Sequence, residues 1–160
     1  MDTQCIWPSN QNRERLIMGY CISMDEVVFF IAEKDKSAAL KAVKALADDT
    51  SRMSGGRYEG GTKKQAWYSW VDTNRFATAK NLEDAMTEWR YCPETDEEGN
   101  ISNIYFEGEK LGDETVLWKA LAPFVKSGSY IQMHGEDGST WRWCFDDGKF
   151  EEKSGRIVWE

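Results

Sequence analysis

The sequence predicts an α+β protein: a two-layer sandwich with a mostly antiparallel sheet and about three helices. Three observations carry that reading. Strand-like and helix-like periods intermix in the order ββα, β, α, β, α, βββ, without the steady alternation of a parallel α/β fold. The C-terminal part reads as a meander of short strands divided by Gly- and Asp-rich turns. A length of 160 residues, with 41% apolar and 30% charged side chains, suits one self-sufficient globular domain over 1–160 rather than a disordered chain. No repeat of fixed period and no linker divides it.

Residues 1–15 are polar, contain Pro8, and read as an irregular N-terminal arm with Trp7 as an anchor. Leu16–Ser23 and Glu26–Ala32 are rich in Ile, Val, Phe and Tyr and read as two strands with a tight turn at Met24-Asp25. The alternative is one bent strand with a bulge at Asp25-Glu26. Leu40, Val43, Leu46 and Ala47 recur at helical spacing, which predicts a helix over 36–48 capped by Asp35 or Ser37. Residues 49–64 hold four glycines and no apolar period, the signature of a flexible, basic, Gly-rich surface loop. Strand character returns over Gln65–Val71.

Asn81 precedes Leu82, Ala85, Met86 and Trp89 at i, i+3, i+4 and i+7, a capped helix with one apolar face. Pro93 limits that helix because the residue before a proline avoids the α region. Ile101–Phe106 reads as a strand after a Gly99-Asn100 turn. Asp113 is placed to cap a third helix with the face Val116, Leu117, Ala120, Leu121 and Phe124, ended by Pro123. Strands over Tyr130–Met133, Thr140–Phe145, Phe150–Lys153 and Arg156–Trp159 complete the chain, with Asp147-Gly148 as a strong hairpin signal.

A net charge of −8 argues against bulk electrostatic attraction to nucleic acid or anionic lipid. The N-terminal residues lack the basic and apolar regions of a secretory signal, and no apolar run approaches the about 20 residues of a membrane span. These features predict a cytoplasmic protein without membrane association. Cys5, Cys21, Cys92 and Cys144 are scattered and form no CxxC pair, so reduced thiols are expected.

Catalytic motifs are weak. His134 is the only histidine and has no HxH, HExxH or CxxC around it; acid–base chemistry with Glu136 or Asp137 is the enzymatic alternative, a carboxylate- or metal-dependent one. A half-exposed strand-end residue is the simpler reading. The glycines from Gly55 to Gly61 invite comparison with a phosphate-binding loop, but Thr62 and Lys63 stand in reversed order and a helix precedes where a strand should. What survives is a basic patch of Arg52, Arg57, Lys63 and Lys64 with Tyr58, suited to phosphates or an acidic partner. No cofactor or metal is called for, since the paired acids sit mostly in turns, where Asp and Gly have conformational reasons to be.

Eight tryptophans are more than a core of this size accommodates, so Trp7, Trp67 and Trp70 are expected toward the surface. Trp141 and Trp143 project to one face of a strand, which is either core or an aromatic platform. The charge is unevenly spread: residues 1–80 carry net +2 and residues 81–160 net −10. The acids Asp96, Glu97, Glu98, Glu107, Glu109, Glu136, Asp137, Asp146 and Asp147 are the candidate surface for a basic partner.

Lys80–Tyr91, the Asp96–Glu114 segment, Leu121–Val125, Gly128–Ile131 and Gly135–Trp143 together resemble a family of small acidic proteins from gut bacteria and their phages or mobile elements, over about the C-terminal half. The resemblance carries no functional residues. It implies a phage or mobile-element protein, of a kind that binds and blocks host defence machinery. The expected function is therefore a non-enzymatic interaction protein. Its acidic, Trp-containing surface would dock on a basic, nucleic-acid-handling host protein such as a defence nuclease. The alternative is a nucleic-acid or nucleotide-binding module using the 52–64 loop and exposed aromatics.

Overall fold

A computed structural model describes residues 19–160. The arm at 1–15 and the first three residues of the Leu16–Ser23 strand lie outside the described residues, as do Cys5 and Trp7. The chain is α+β with mostly antiparallel sheets and four helices, three of them seven residues or longer.

The first strand, β1 (Ile22–Val28), is one element, and its register slips between Met24 and Glu26. The bent-strand alternative is therefore the observed one, and Met24-Asp25 is no turn: a bulge absorbs the polar Asp25 without breaking the ladder. Helix α1 (Lys36–Ala45) continues as a 3-10 turn at Leu46–Asp48, which together fill the predicted 36–48. Its Ala39 and Val43 are wholly buried, and small side chains there let the helix pack closely.

The predicted 49–64 loop is instead largely a two-stranded ribbon, β2 (Gly55–Glu59) and β3 (Thr62–Trp67). Gly60 and Gly61 have φ of 57° and 79°, the positive pair that a type I′ hairpin turn demands. The glycines read as flexibility were turn and ribbon chemistry. Beyond Trp67 the strand stops, and Asp72 caps a short helix α2 (Thr73–Ala77) that was not anticipated, accepting from Arg75 N at 3.2 Å. Helix α3 (Leu82–Glu88) begins as expected, with Asn81 Oδ1 accepting from Asp84 N at 2.7 Å. Strand β4 (Tyr91–Thr95) tolerates Pro93 because it pairs on one side only, with β5 (Ile101–Phe106).

Helix α4 (Glu114–Leu121) passes through a 3-10 turn at Ala122–Phe124, where Pro123 ends it. Its most buried aromatic is Trp118, absent from the predicted face. The last strands are β6 (Ser129–Gly135), β7 (Thr140–Asp146) and β8 (Lys149–Ser154). Asp147 and Gly148, at φ 49° and 71°, form the foreseen hairpin turn. Arg156–Trp159 is not a strand. The last ladder bond runs from Gly155 N to Thr140 O, and β7 begins at Thr140, so nothing remains to pair with.

The main sheet has the order β1-β6-β7-β8, wholly antiparallel. Its inner face presents Ile131, Met133, Trp143 and Phe145 toward α4, where Trp118 meets Trp143 at 5.9 Å and Phe145 at 6.0 Å between ring centroids. A second aromatic cluster, Tyr68, Phe76 and Trp89, joins the β3–α2 segment to the end of α3, with centroids 4.9–6.1 Å apart. Both clusters belong to one continuous set of buried residues.

Candidate interaction surface

The acids divide between two ends of the sheet. Successive hairpin turns fall at opposite ends of a meander, so Glu136 and Asp137, between β6 and β7, are separated from Asp146 and Asp147 by the length of β7, about 20 Å. Asp96, Glu97 and Glu98 fall at the Asp146 end, because Ile31 bridges both Ile101 and Val125, and Asp147 N donates to Ser127 Oγ at 2.8 Å. Glu107 and Glu109 fall at the Glu136 end, where Ile22 N donates to Glu109 O at 2.8 Å and Glu136 N to Cys21 O at 3.0 Å. The single acidic face expected from the charge asymmetry is two acidic ends.

Several of these carboxylates already have work. Asp96 accepts from the backbone N–H of Glu98 and Asn100 and from the Asn100 amide, bonds that hold its carboxyl below the ordinary range and close the β4–β5 turn. Asp137 accepts from the Tyr20 hydroxyl and from Ser139 N, which lowers its carboxyl to about 2. Within the described residues, none of Glu97, Glu98, Glu107, Glu109, Glu136, Asp146 or Asp147 forms an ion pair. At the Asp146 end a shallow cleft of about 500 Å³ is lined by Val27–Phe30, Ser102 and Lys126–Ser129. Lys126 lies over the Phe30 ring there, which sets a positive charge among the acids.

The Glu136 end is organised around a buried ion pair. Glu114, 1% exposed, accepts from Arg90 Nη2 and from Gly112 N at 2.7 Å. Arg90 Nη1 also donates to Lys110 O at 2.6 Å. Burial pushes the Glu114 carboxyl up; the guanidinium and the backbone N–H groups pull the other way. Asp113, predicted to cap α4, makes no cap bond. Its Oδ2 accepts from Ser54 Oγ at 2.9 Å and Ser69 N at 2.9 Å, tying the β2 approach and the Ser69-Trp70 turn to the start of α4.

That framework holds Trp70. The residue has φ 65°, costly for a bulky side chain, yet its indole is 52% exposed. The ring lies beside Gly19 and Gly112. A Cβ on Gly112 would stand 2.8 Å from the Ser69 carbonyl, 2.9 Å from Arg90 Nη2 and 3.2 Å from Trp70 Cδ1, so only glycine fits there. Leu111, 38% exposed, is fixed next to it by its N–H donating to Tyr20 O at 2.8 Å. Trp70, Leu111, Glu109 and Glu136 therefore all border the segment Gly19–Ile22, with Glu107 two residues from Glu109.

The other candidates fall elsewhere. Trp143 is fully buried, with Nε1 donating to Glu152 Oε2 at 2.7 Å; Trp141 is half-buried against it at 6.1 Å. Their shared face is core, because α4 covers it, so neither forms a platform. Trp67 is 39% exposed on β3, and Tyr58 is 61% exposed on β2. The basic patch is largely spent: Arg52 pairs with Asp49 at 2.9 Å, Arg57 with Glu59 at 2.9 Å, and Lys63 Nζ donates to Met53 O at 2.8 Å. Lys64 is exposed at the ribbon's bulge, between the Arg57–Gln65 and Tyr58–Lys63 pairs.

His134 is half-buried at the end of β6, paired across to Ser23 and Thr140. Among the described residues no three His, Cys, Asp or Glu side chains converge as a metal site. Cys21, Cys92 and Cys144 are unbridged, and burial, with Glu107 beside it, pushes the Cys92 thiol up, away from the thiolate a nucleophile requires. No helix among the described residues is long and apolar enough to cross a membrane.

Sequence reasoning missed Leu111 as a neighbour of Trp70, and Trp159, which is 89% exposed after the last strand. A glycine at 112, between two charged stretches, was the available hint of a close approach. Compared with known proteins, the chain matches no family model, no curated protein and no solved structure.

Proposed function

We propose that this protein is a non-enzymatic interaction module that docks its Trp70 end onto a basic surface of a second protein. The observation that carries the reading is Trp70 itself: a half-exposed indole held at positive φ by Gly112, Ser69, Asp113 and the Arg90–Glu114 pair, bordered by Glu109 and Glu136, neither of them in an ion pair among the described residues. Interface energy concentrates in rigid aromatic anchors within a polar rim. An anchor fixed before binding loses little entropy on docking. The acidic rim selects a partner with Lys and Arg around an apolar pocket, and steers its approach. A nucleic-acid-handling host protein such as a defence nuclease has that surface chemistry.

The experiment is capture of a host protein by the tagged chain, compared with Trp70→Ala and with the Glu107→Lys, Glu109→Lys double variant. Loss of one basic protein from both variants, and weakening of its capture by salt in the wild type, is the expected result. Capture unchanged in both variants rejects this surface.

A further inference from the structure

A groove of about 570 Å³ opens between the end of α1, the β2–β3 ribbon and the start of α2. Its volume lies in the range of small-ligand sites, about 300–1,000 Å³. The walls combine two kinds of surface. One is a flat aromatic ring: the Trp67 indole lies across Gly55 of the partner strand, so close that a Cβ there would come within 2.3 Å of Nε1. Gly55 supports one side of the ring, and the residue remains 39% exposed. The other is a set of uncharged hydrogen-bonding groups, Thr50, Gln65, Thr73 and Asn74, with the single carboxylate of Asp72. Thr73, which lines the groove, carries a buried Oγ1 with no hydrogen-bond partner among the described residues.

Among the described residues no lysine or arginine lines the groove, which disfavours phosphates and other anions. Asp72 is partly engaged by Arg75, whose backbone N–H it caps and whose Nε lies 3.7 Å away, so it offers little net charge to a cation. Hydroxyl and amide groups that both donate and accept, set beside one aromatic face, match a ring with an apolar C–H face and a rim of hydroxyls.

We propose that this groove binds an uncharged, polyhydroxylated ring, one sugar residue of a glycan, with Trp67 stacked on its C–H face and Gln65 and Asn74 bonded to its hydroxyls. The groove lining includes Trp67 and not Trp70, so Trp70→Ala removes the docking anchor without removing a groove residue, and the two readings fail independently.

The test is saturation-transfer NMR on the whole chain with glucose, galactose, mannose, N-acetylglucosamine and their disaccharides, using adenosine and choline as comparators. Saturation of the ring protons of at least one sugar is expected. Trp67→Ala should weaken that sugar's binding about tenfold or more, as removal of a stacking ring does. Gly55→Ala should weaken it with the Trp67 side chain retained, because the new Cβ displaces the indole. Trp70→Ala should leave it unchanged. All three positions lie at the surface or in the ribbon, and far-UV circular dichroism on the same samples confirms the fold. Absence of transfer to every sugar, transfer that survives Trp67→Ala, or preferential binding of adenosine or choline overturns the proposal.

Discussion

The β7–β8 hairpin and the β2–β3 ribbon are closed by the same chemistry and live in opposite surroundings. Each turns through two residues at positive φ, Asp147-Gly148 in one and Gly60-Gly61 in the other. Each carries tryptophan. Trp143 is wholly buried under Trp118 of α4, whereas Trp67 lies over a glycine with 39% of its surface in water. The difference is the layer against the face. The four-stranded sheet is covered by α4, which Glu114 and Arg90 anchor at its start; the ribbon touches the rest of the chain mainly along one side, leaving a groove. A hairpin is thus a local achievement, and whether its aromatic residues become core or surface is decided by what packs on it.

Substitution of the two tryptophans breaks the comparison most sharply. Trp143→Ala should cost about 3–5 kcal/mol in urea unfolding, the range for emptying a buried large aromatic site. Trp67→Ala should cost about 1 kcal/mol or less. Similar losses for both would mean that the ribbon is core after all. Next in size is Glu114→Ala, which leaves the Arg90 guanidinium, 13% exposed, without its counter-charge and loosens the start of α4. A loss of about 3 kcal/mol is expected, since removing one partner strands a buried charge. Glu114→Ala should also move Trp70, visible as a shift in tryptophan emission.

The two turns should respond alike. Gly61→Ala and Gly148→Ala each force a Cβ into the left-handed region, at φ 79° and 71°, and each should cost about 1 kcal/mol. Neither position is crowded: nothing lies within 4 Å of a Cβ on Gly61, and Pro123 Cα is 3.7 Å from one on Gly148. Unequal costs would show that tertiary contact, and not turn geometry, dominates one of them.

The smallest effect concerns Asp137, in the β6–β7 turn. Its carboxyl is lowered in the folded chain to about 2 by the Tyr20 hydroxyl and Ser139. A lowered folded value favours the fold above the unfolded carboxylate range near about 3.9. That contribution is lost as pH falls from about 4 toward about 2. Carboxyl NMR should place the Asp137 midpoint near 2 and show it rising toward the ordinary value in Tyr20→Phe. An unchanged midpoint would detach Asp137 from Tyr20.

Much of the fold was legible because local rules sufficed. Asn81 caps α3 as its sequence position suggests, Ile101–Phe106 is a strand over those residues, and Asp147-Gly148 turns as the dipeptide implies. The misses share a cause. Tyr91–Thr95 was hidden by Pro93, which a one-sided ribbon permits; Gly55–Lys64 looked like a loop because its glycines make room for Trp67 and Lys63 from the opposite strand. Arg156–Trp159 has strand composition but no residue opposite it. The candidate surface was legible only in part. The excess of acid in the second half was plain, and Trp70 was singled out, but nothing local to Trp70 announces that Leu111 and Gly112 stand beside it.

Sequence by itself determined the class of this protein, the turns of its C-terminal meander, the starts of α1, α3 and α4 and its surplus of negative charge, since period, caps and turn residues act over a few positions. Only the tertiary structure decided where that charge goes and which tryptophans are available. Alternating turns carry neighbouring acids to opposite ends of a sheet, and burial depends on elements far away in the chain, as when α4 covers Trp143 and leaves Trp67 and Trp70 in solvent.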